Sequence, residues 1–192
     1  MIPASLMYIY NNLGFTDLEL SGRYRSGSWS KWIRFDRLME NEYTDWDFYT
    51  DRTIADIEVV LDYDFFVCPE CKKHMHKSKC KCGYEVNKEE RVMWIQLYAN
   101  GIRNRLIQDG YRFRDWFSGS KGRHFSLLFP ELREMAEYKR KIWKQKFIDK
   151  YNGEALKSSN RVMILREHAK NPKTGGQKVL LYERPGFNYM EA

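Results

Sequence analysis

The sequence is organised around residues 57–71, which pass from an apolar strand pattern through two aspartates into a pair of cysteines. Residues 53–67 are rich in β-branched and aromatic types, which predicts a β-strand. Because side chains alternate between the faces of a strand, Asp62 and Asp64 are expected on one face, with Cα atoms about 6–7 Å apart. Two carboxylates at that spacing suit divalent cations about 3.5–4 Å apart, and oxygen ligands favour Mg²⁺ or Mn²⁺. Aspartates are also common where a strand runs into a polar loop, so the pair alone does not decide.

Four cysteines lie within fifteen residues: Cys68, Cys71, Cys80 and Cys82. Two short pairs with Gly83 directly after the second are typical of tetrahedral zinc, and the glycine allows the tight turn. Four thiolates leave no open coordination position, so we predict a structural Zn²⁺ in an inserted knuckle over residues 68–82. His74 and His76 between the pairs are alternative ligands, but we expect them to be exposed loop residues. Clustered cysteines indicate a reducing compartment, which predicts a cytoplasmic protein.

Length and charge narrow the class further. A chain of 192 residues is expected to form a single domain over residues 1–192. Its 33 basic and 26 acidic residues give a net charge of +7, which favours a polyanionic partner, although a solvated charged surface gives the same total. No run of 18 apolar residues is present and residues 1–10 lack a basic start, so we expect neither a membrane span nor a signal peptide.

Hydrophobic periodicity predicts the remaining elements. The predicted helices are residues 6–13, 87–109 and 130–151, and the predicted strands are residues 111–117, 125–129, 161–167 and 178–183. In the last helix we expect an inward face of Leu132, Met135, Ala136, Trp143 and Phe147, and a basic outward face that includes Lys144. That face is either a nucleic-acid flank or simply solvated. Residues 21–32 interleave arginines and tryptophans, a pattern that fits either base stacking or a surface loop.

The turn at residues 118–124, Ser-Gly-Ser-Lys-Gly-Arg-His, joins two predicted strands. Its glycines let the backbone approach a phosphate closely, while Lys121 and Arg123 add positive charge and His124 enters the second strand. Such a turn is also a common hairpin loop. A later Pro- and Gly-containing turn at residues 168–176 is preceded by Arg166 and contains Lys173, which adds cations near the same strand ends.

In their order and spacing, four motifs resemble the archaeo-eukaryotic primase superfamily, with a layout similar to the small catalytic subunit of DNA primase. That family has a strand with two aspartates among hydrophobic residues, an inserted zinc knuckle, a Ser-Gly-x-x-Gly-x-His turn, and an Arg-rich strand leading to Lys-Thr-Gly. The matching segments here are Leu61-Asp62-Tyr63-Asp64, residues 68–82, residues 118–124 and residues 161–175. The resemblance covers roughly residues 54–183.

The resemblance implies catalytic roles for Asp62, Asp64 and His124, with the two aspartates holding two Mg²⁺ or Mn²⁺ ions. The nucleotide-binding residues that it implies are Ser118, Gly119, Lys121, Gly122, Arg123, Arg166 and Lys173. The implied fold is α+β, an RRM-like antiparallel sheet flanked by helices with the zinc knuckle inserted. The implied activity is that of a DNA primase or primase-polymerase, a nucleotidyltransferase that synthesises primers on a single-stranded DNA template from NTPs or dNTPs. A primase large subunit or a helicase is a further expected partner.

One feature departs from the family pattern. The family has a third acidic residue before the Arg-rich segment, where this chain has Lys157-Ser158-Ser159-Asn160. Substitutes in the sequence are Asp56, Glu58, Glu154 and Glu167. Two alternatives therefore stay open: a catalytically degenerate, zinc-containing nucleic-acid-binding replication protein, and an unrelated zinc-ribbon adaptor for a protein partner.

Overall fold

A computed structural model of the chain describes residues 18–22, 30–35, 37, 48–154, 158 and 162–184. The predicted helix at residues 6–13 and most of the segment 21–32 lie outside this part of the chain. The first strands are β1 Glu19–Ser21, β2 Ile33–Arg34, β3 Asp51–Thr53, β4 Glu58–Tyr63, β5 Phe66–Val67 and β6 His74–Met75. The later strands are β7 Arg114–Phe117, β8 Arg123–Leu128, β9 Met163–Leu165 and β10 Val179–Glu183. The helices within residues 48–154 are α1 Lys88–Gln108 and α2 Glu137–Lys150, and a 3₁₀ helix spans Pro130–Glu134.

The central sheet contains four antiparallel strands in the order β10-β7-β8-β4. With the two helices, its strands follow the chain order β-α-β-β-α-β, and β5, β6 and β9 are additions to this series. In the register of β4 against β8, Val59 lies opposite Leu127 and Asp62 lies opposite His124. The expected mixed α+β class with antiparallel strands is therefore confirmed.

The helices cover one face of the central sheet. On that face Leu61 and Tyr63 of β4 and Phe125 of β8 are fully buried, and they pack with Leu106 of α1 and Phe147 of α2. The opposite face of β4 carries Glu58, Val60 and Asp62, because side chains alternate along the strand. This second face is the one on which the candidate site lies.

A second antiparallel sheet, in the order β2-β1-β3-β9, lies against the face of β4 that the helices leave open. Ile164 of β9 and Ile54 pack on Val60 in a small buried cluster between the sheets. A cluster of buried charges joins the sheets as well, because Arg52 of β3 contacts Glu58 of β4 at 2.7 Å and Glu167 at 2.8 Å. The two sheets therefore form the walls of a groove.

Helix α1 matches its prediction closely. Asn87 accepts a hydrogen bond from the amide of Glu90, and the Glu90 carboxylate accepts one from the amide of Asn87, which forms a capping box. Of the six apolar residues at helical spacing, Ile95, Ala99, Ile102 and Leu106 are buried as expected, whereas Val92 and Tyr98 are half-buried. The helix ends at Gln108, and Gly110 follows with a φ of 82°.

The prediction of one helix over residues 130–151 was wrong in three respects. The chain is extended at Met135 and Ala136, with ψ of 140° and 144°, so the 3₁₀ helix and α2 are separate. Arg140 stabilises the break by donating to the carbonyls of Leu132 and Met135. Ala136 is exposed and not inward. Lys144 is fully buried and not on a solvated face, because its Nζ donates to the carbonyl of Ala55 at 2.7 Å.

In the described residues, no helix is both long enough and apolar enough to span a membrane.

Candidate active site

A groove of about 440 Å³ opens between the two sheets, beside the C-terminal end of β4. Its lining combines acidic, basic and hydroxyl side chains with the backbone of two turns. From the central sheet and its hairpin the lining residues are Asp62, Asp64, Ser118, Ser120, Lys121, Gly122 and His124. From the second sheet, the segment after α2 and the turn after β9, they are Asp51, Glu154, Met163, Ile164, Leu165, Asn171, Pro172 and Lys173. The groove therefore brings together Asp62, Asp64, Ser118, Lys121, Gly122, His124 and Lys173, all residues expected at the site from the sequence.

Asp62 and His124 form the floor of the groove. They are paired across neighbouring strands, and His124 Nε2 lies 3.3 Å from Asp62 Oδ1. Both side chains are close to nine-tenths buried. Direct cross-strand neighbours have Cβ atoms about 4.5–5.5 Å apart, so the strand register itself sets this contact. The pair therefore stands on a rigid sheet, with one edge toward the groove.

Asp64 lies just beyond the end of β4 and is more open than Asp62, with 45% of its side chain exposed. Its two carboxylate oxygens contact different cationic or hydrogen-bonding partners. Oδ2 lies 3.3 Å from Nζ of Lys121, and Oδ1 lies 3.2 Å from Nδ1 of His76. Asp64 is thus held between the hairpin turn and the cysteine-rich insertion.

The turn between β7 and β8 is closed by its own hydrogen bonds. The amide of Ser118 donates to the carbonyl of Gly122 at 3.0 Å, and the amide of Gly122 donates to Ser118 Oγ at 3.1 Å. A Cβ at Gly122 would lie 2.9 Å from the carbonyl oxygen of Tyr63 and 3.3 Å from Asp64 Cβ. The glycine is therefore required for the turn to approach the end of β4, where the aspartates lie.

A second turn, at residues 171–176, packs directly on the first. Thr174 Oγ1 donates to the carbonyl of Gly119 at 2.7 Å, and a Cβ at Gly119 would lie 2.3 Å from the carbonyl oxygen of Gly176. The amide of Lys173 donates to Asn171 Oδ1 at 3.0 Å, which fixes the start of this turn. The contact between the glycines brings Lys173 to the same groove as Lys121.

Two arginines expected in the nucleotide site do not line the described groove. Arg123 points to the helix side of the sheet, since it is adjacent in β8 to His124. There its Nε donates to Asp115 at 2.7 Å, and its Nη1 donates to Gln96 at 3.0 Å. Burial raises the pKa of the Asp115 carboxyl despite the neighbouring guanidinium. Arg166 is 3% exposed and its Nε donates to the carbonyl of Tyr49.

The groove contains two further carboxylates. Glu154 is one of the substitutes named from the sequence, and Asp51, at the start of β3, is a residue that the sequence did not indicate. Asp51 is 4% exposed and accepts a hydrogen bond from Thr50 Oγ1 at 2.7 Å. It reaches the groove because β3 pairs with β9, and no local pattern in Tyr49-Thr50-Asp51-Arg52 reveals that pairing.

The other three substitutes are engaged elsewhere. Glu58 and Glu167 are buried against Arg52, and Asp56 lies 3.0 Å from Nη2 of Arg140. Burial alone raises the pKa of both glutamates, but the Arg52 guanidinium outweighs it, and the pKa of each lies below the ordinary value. These two carboxylates are ionised partners of Arg52 and do not line the groove.

The four cysteines converge within the insertion that follows β4. Their Sγ atoms all lie within 4.8 Å of one another, with Cys68 and Cys82 3.7 Å apart and Cys71 and Cys80 3.4 Å apart. Four sulfurs bound tetrahedrally about 2.3 Å from one Zn²⁺ lie roughly 3.8 Å apart, so the cluster fits a structural zinc ion. Two tight turns present the sulfurs, with Lys72 at a φ of 61° and Gly83 at 101°.

The histidines of this insertion are exposed and are not among the four clustered ligands. His74 lies in β6 and stacks on Phe65 with ring centroids 4.2 Å apart. His76 follows β6 and reaches Asp64. Both histidines are exposed as expected, but His74 lies in a short strand and not in a loop, and the contact of His76 with Asp64 is one that the sequence did not suggest.

Neither a scan against protein-family models nor a search of curated proteins found a match to this chain. Function is therefore inferred from the residues of the groove and of the cysteine cluster.

Proposed function

We propose that this protein is a template-dependent nucleotidyltransferase, a DNA primase or primase-polymerase of the archaeo-eukaryotic primase superfamily. The observation that carries the proposal is the single groove that combines Asp62 and Asp64 with His124 and the Lys121 turn. Two carboxylates, one on a strand and one just beyond its end, are a site for divalent cations, and a glycine-containing turn with a lysine is a site for phosphates. A nucleoside triphosphate needs both at one position.

The residues divide into two groups by charge. Asp62 and Asp64 hold the cations, which when bound activate the attacking hydroxyl and neutralise the pyrophosphate leaving group. Lys121 and Lys173 bring two ammonium groups to the same groove and contact the triphosphate.

His124, next to Asp62 on the neighbouring strand, donates to a phosphate oxygen. Arg123 and Arg166 act by holding the sheet and its loops in place.

The third acid of the family is proposed to be supplied by Asp51 of β3 or by Glu154 after α2, since both line the groove. A third carboxylate there would complete an oxygen ligand set, which Mg²⁺ and Mn²⁺ prefer. The finer description of the fold as RRM-like is part of the same proposal. It is supported by the β-α-β-β-α-β order, although the β7–β8 hairpin takes the two inner positions of the sheet.

The cysteine cluster is proposed to hold structural Zn²⁺ in a cytoplasmic protein whose thiols remain reduced. Five exposed lysines surround it: Lys72, Lys73, Lys77, Lys79 and Lys81. Such a loop is suited to the phosphates of a single-stranded DNA template. A primase large subunit or a helicase is a further proposed partner.

The test is primer synthesis on single-stranded DNA with labelled NTPs or dNTPs and Mn²⁺. We expect product from the wild type and at least a 100-fold loss for Asp62→Asn and for Asp64→Asn, because two-metal transfer depends on both carboxylates. Asp149→Asn is the matched control, since Asp149 is an exposed carboxylate on α2. Its activity should equal that of the wild type.

Binding of single-stranded DNA is measured on the same proteins. Absence of product from the wild type together with salt-sensitive DNA binding would refute catalysis and favour the degenerate nucleic-acid-binding protein. Absence of both would favour a zinc-ribbon adaptor for a protein partner.

A further inference from the structure

The contact between His76 and Asp64 joins the cysteine-rich insertion to the proposed cation site. His76 Nδ1 lies 3.2 Å from Asp64 Oδ1. A carboxylate only accepts hydrogen bonds, so Nδ1 is the donor. The other carboxylate oxygen faces Lys121 Nζ. Asp64 therefore has one partner from the hairpin turn and one from a different part of the chain.

The position of His76 depends on the loop that contains it. On its N-terminal side, β6 pairs with β5, so that Val67 lies opposite His74 and Phe66 opposite Met75. On its C-terminal side, the carbonyl of Ser78 accepts from the amide of Val86. The loop begins after Cys71 and ends at Cys80, whose sulfurs belong to the same four-sulfur cluster. A zinc ion held by the four cysteines would close the loop and restrict the position of His76 relative to the end of β4.

The side chain of Asp64 must be held in one orientation to bind a cation. It lies outside β4 and is 45% exposed, whereas Asp62 is nearly buried against His124. A half-exposed side chain loses rotamer entropy when a cation fixes it, and a hydrogen bond that holds it beforehand reduces that loss. Partners of metal-binding carboxylates act in this way, and their removal typically weakens metal binding 10- to 100-fold.

We propose that His76 is a positioning residue for Asp64, through which the zinc knuckle strengthens divalent cation binding in the groove. The proposal rests on the proposed function only in that Asp62 and Asp64 hold the cation. It gives the knuckle a role in the chemistry of the groove in addition to a role as a brace. It also predicts that loss of zinc weakens binding of the divalent cation at Asp62 and Asp64, although these two residues and His124 are themselves unaltered.

The test is a titration of the zinc-loaded full chain with Mn²⁺, in which free Mn²⁺ is measured by electron paramagnetic resonance. We expect His76→Ala to weaken Mn²⁺ binding about tenfold, the lower end of the usual range, because the contact is partly exposed. His76→Asn should restore most of the affinity, since the Asn amide nitrogen occupies nearly the position of Nδ1. His74→Ala is the matched control: it removes an imidazole from the same insertion, and it should bind Mn²⁺ as the wild type does.

The zinc content of each variant is measured to establish that the knuckle is loaded. Removal of zinc by a chelator, followed by titration with excess Mn²⁺, should weaken binding in the wild type by about the same tenfold as His76→Ala. In His76→Ala it should have little further effect. Equal Mn²⁺ affinity of the wild type and zinc-loaded His76→Ala would overturn the inference alone. If Mn²⁺ binds neither the wild type nor the variants, or binds Asp62→Asn equally well, the cation site itself is refuted and the proposed function with it.

Discussion

At the scale of single residues, the close contact between two turns depends on Gly119. Its φ of 76° is one that L side chains rarely adopt, and an added Cβ would lie 2.3 Å from a backbone oxygen of Gly176. The cost of the substitution has two parts, the backbone conformation and the contact. The first is common to many glycines, whereas the second belongs to the junction that brings Lys121 and Lys173 into one groove.

We therefore predict that Gly119→Ala lowers the free energy of unfolding by about 2–3 kcal/mol and weakens nucleotide binding. Gly175→Ala is the control, because Gly175 has a φ of 72° but has no atom within 4 Å of an added Cβ. It should lose only about 1 kcal/mol. Urea unfolding and titration with a labelled nucleotide measure both effects. Equal losses in the two variants would show that the contact between the turns contributes nothing.

Residue types and spacing were sufficient to predict part of the groove. Asp62 and His124 were each expected at a strand end or in a turn. The antiparallel register brings His124 Nε2 to 3.3 Å from Asp62 Oδ1. Arg123 was assigned to the nucleotide, yet strand alternation directs it to Asp115 on the other face. Asp51 was missed because it enters the groove through pairing with β9, more than 100 residues later in the chain. Local sequence patterns do not show which distant strands will pair.

At the scale of elements, the cysteine-rich insertion is a small unit with its own core. Phe66, Met75 and Val86 are buried with Cys68 and Cys80 against Ile95 of α1. The main core between the central sheet and the helices consists of other residues. Since β5 and β6 contain two residues each, their pairing alone is too short to be stable, and we expect a metal ion bound by the four cysteines to hold them together.

The purified chain should contain about one zinc ion, and Cys71→Ser should lose most of it, because a structural site needs four ligands. Amide hydrogen exchange should then rise in β5 and β6, while β4, β7 and β8 remain protected. Ser78→Ala is the control, as it changes the same loop without removing a sulfur. Retention of zinc by Cys71→Ser, or an equal rise of exchange in β8, would contradict this account.

At the scale of the whole molecule, the two sheets are joined by buried charges. Arg52 of β3 donates two hydrogen bonds to Glu58 of β4 and two to Glu167, and Lys178 Nζ lies 3.3 Å from Glu167. Each member is at most 3% exposed. A buried ion whose partner has been removed lowers the stability of the fold, whereas in the complete network two positive charges face two negative charges. The cluster holds the two sheets together at the start of β4, and the groove lies between the same sheets at the end of β4.

Glu58→Gln should lower the free energy of unfolding by about 3 kcal/mol at pH 7, because it leaves Arg52 with half of its buried counter-charge. The pKa of Glu58 lies below its ordinary value of about 4.5, since the effect of Arg52 exceeds that of burial. Its contribution to stability is therefore complete above pH 4.5 and is lost as the pH falls toward the lower pKa of the folded state. Between pH 5 and pH 3 the wild type should lose more stability than the variant.

Glu85→Gln, which removes an exposed partner of Lys79, should follow the wild-type pH dependence. Urea unfolding across this pH range measures the difference, and parallel curves for the wild type and Glu58→Gln would exclude the ionised cluster as the link between the two walls of the groove.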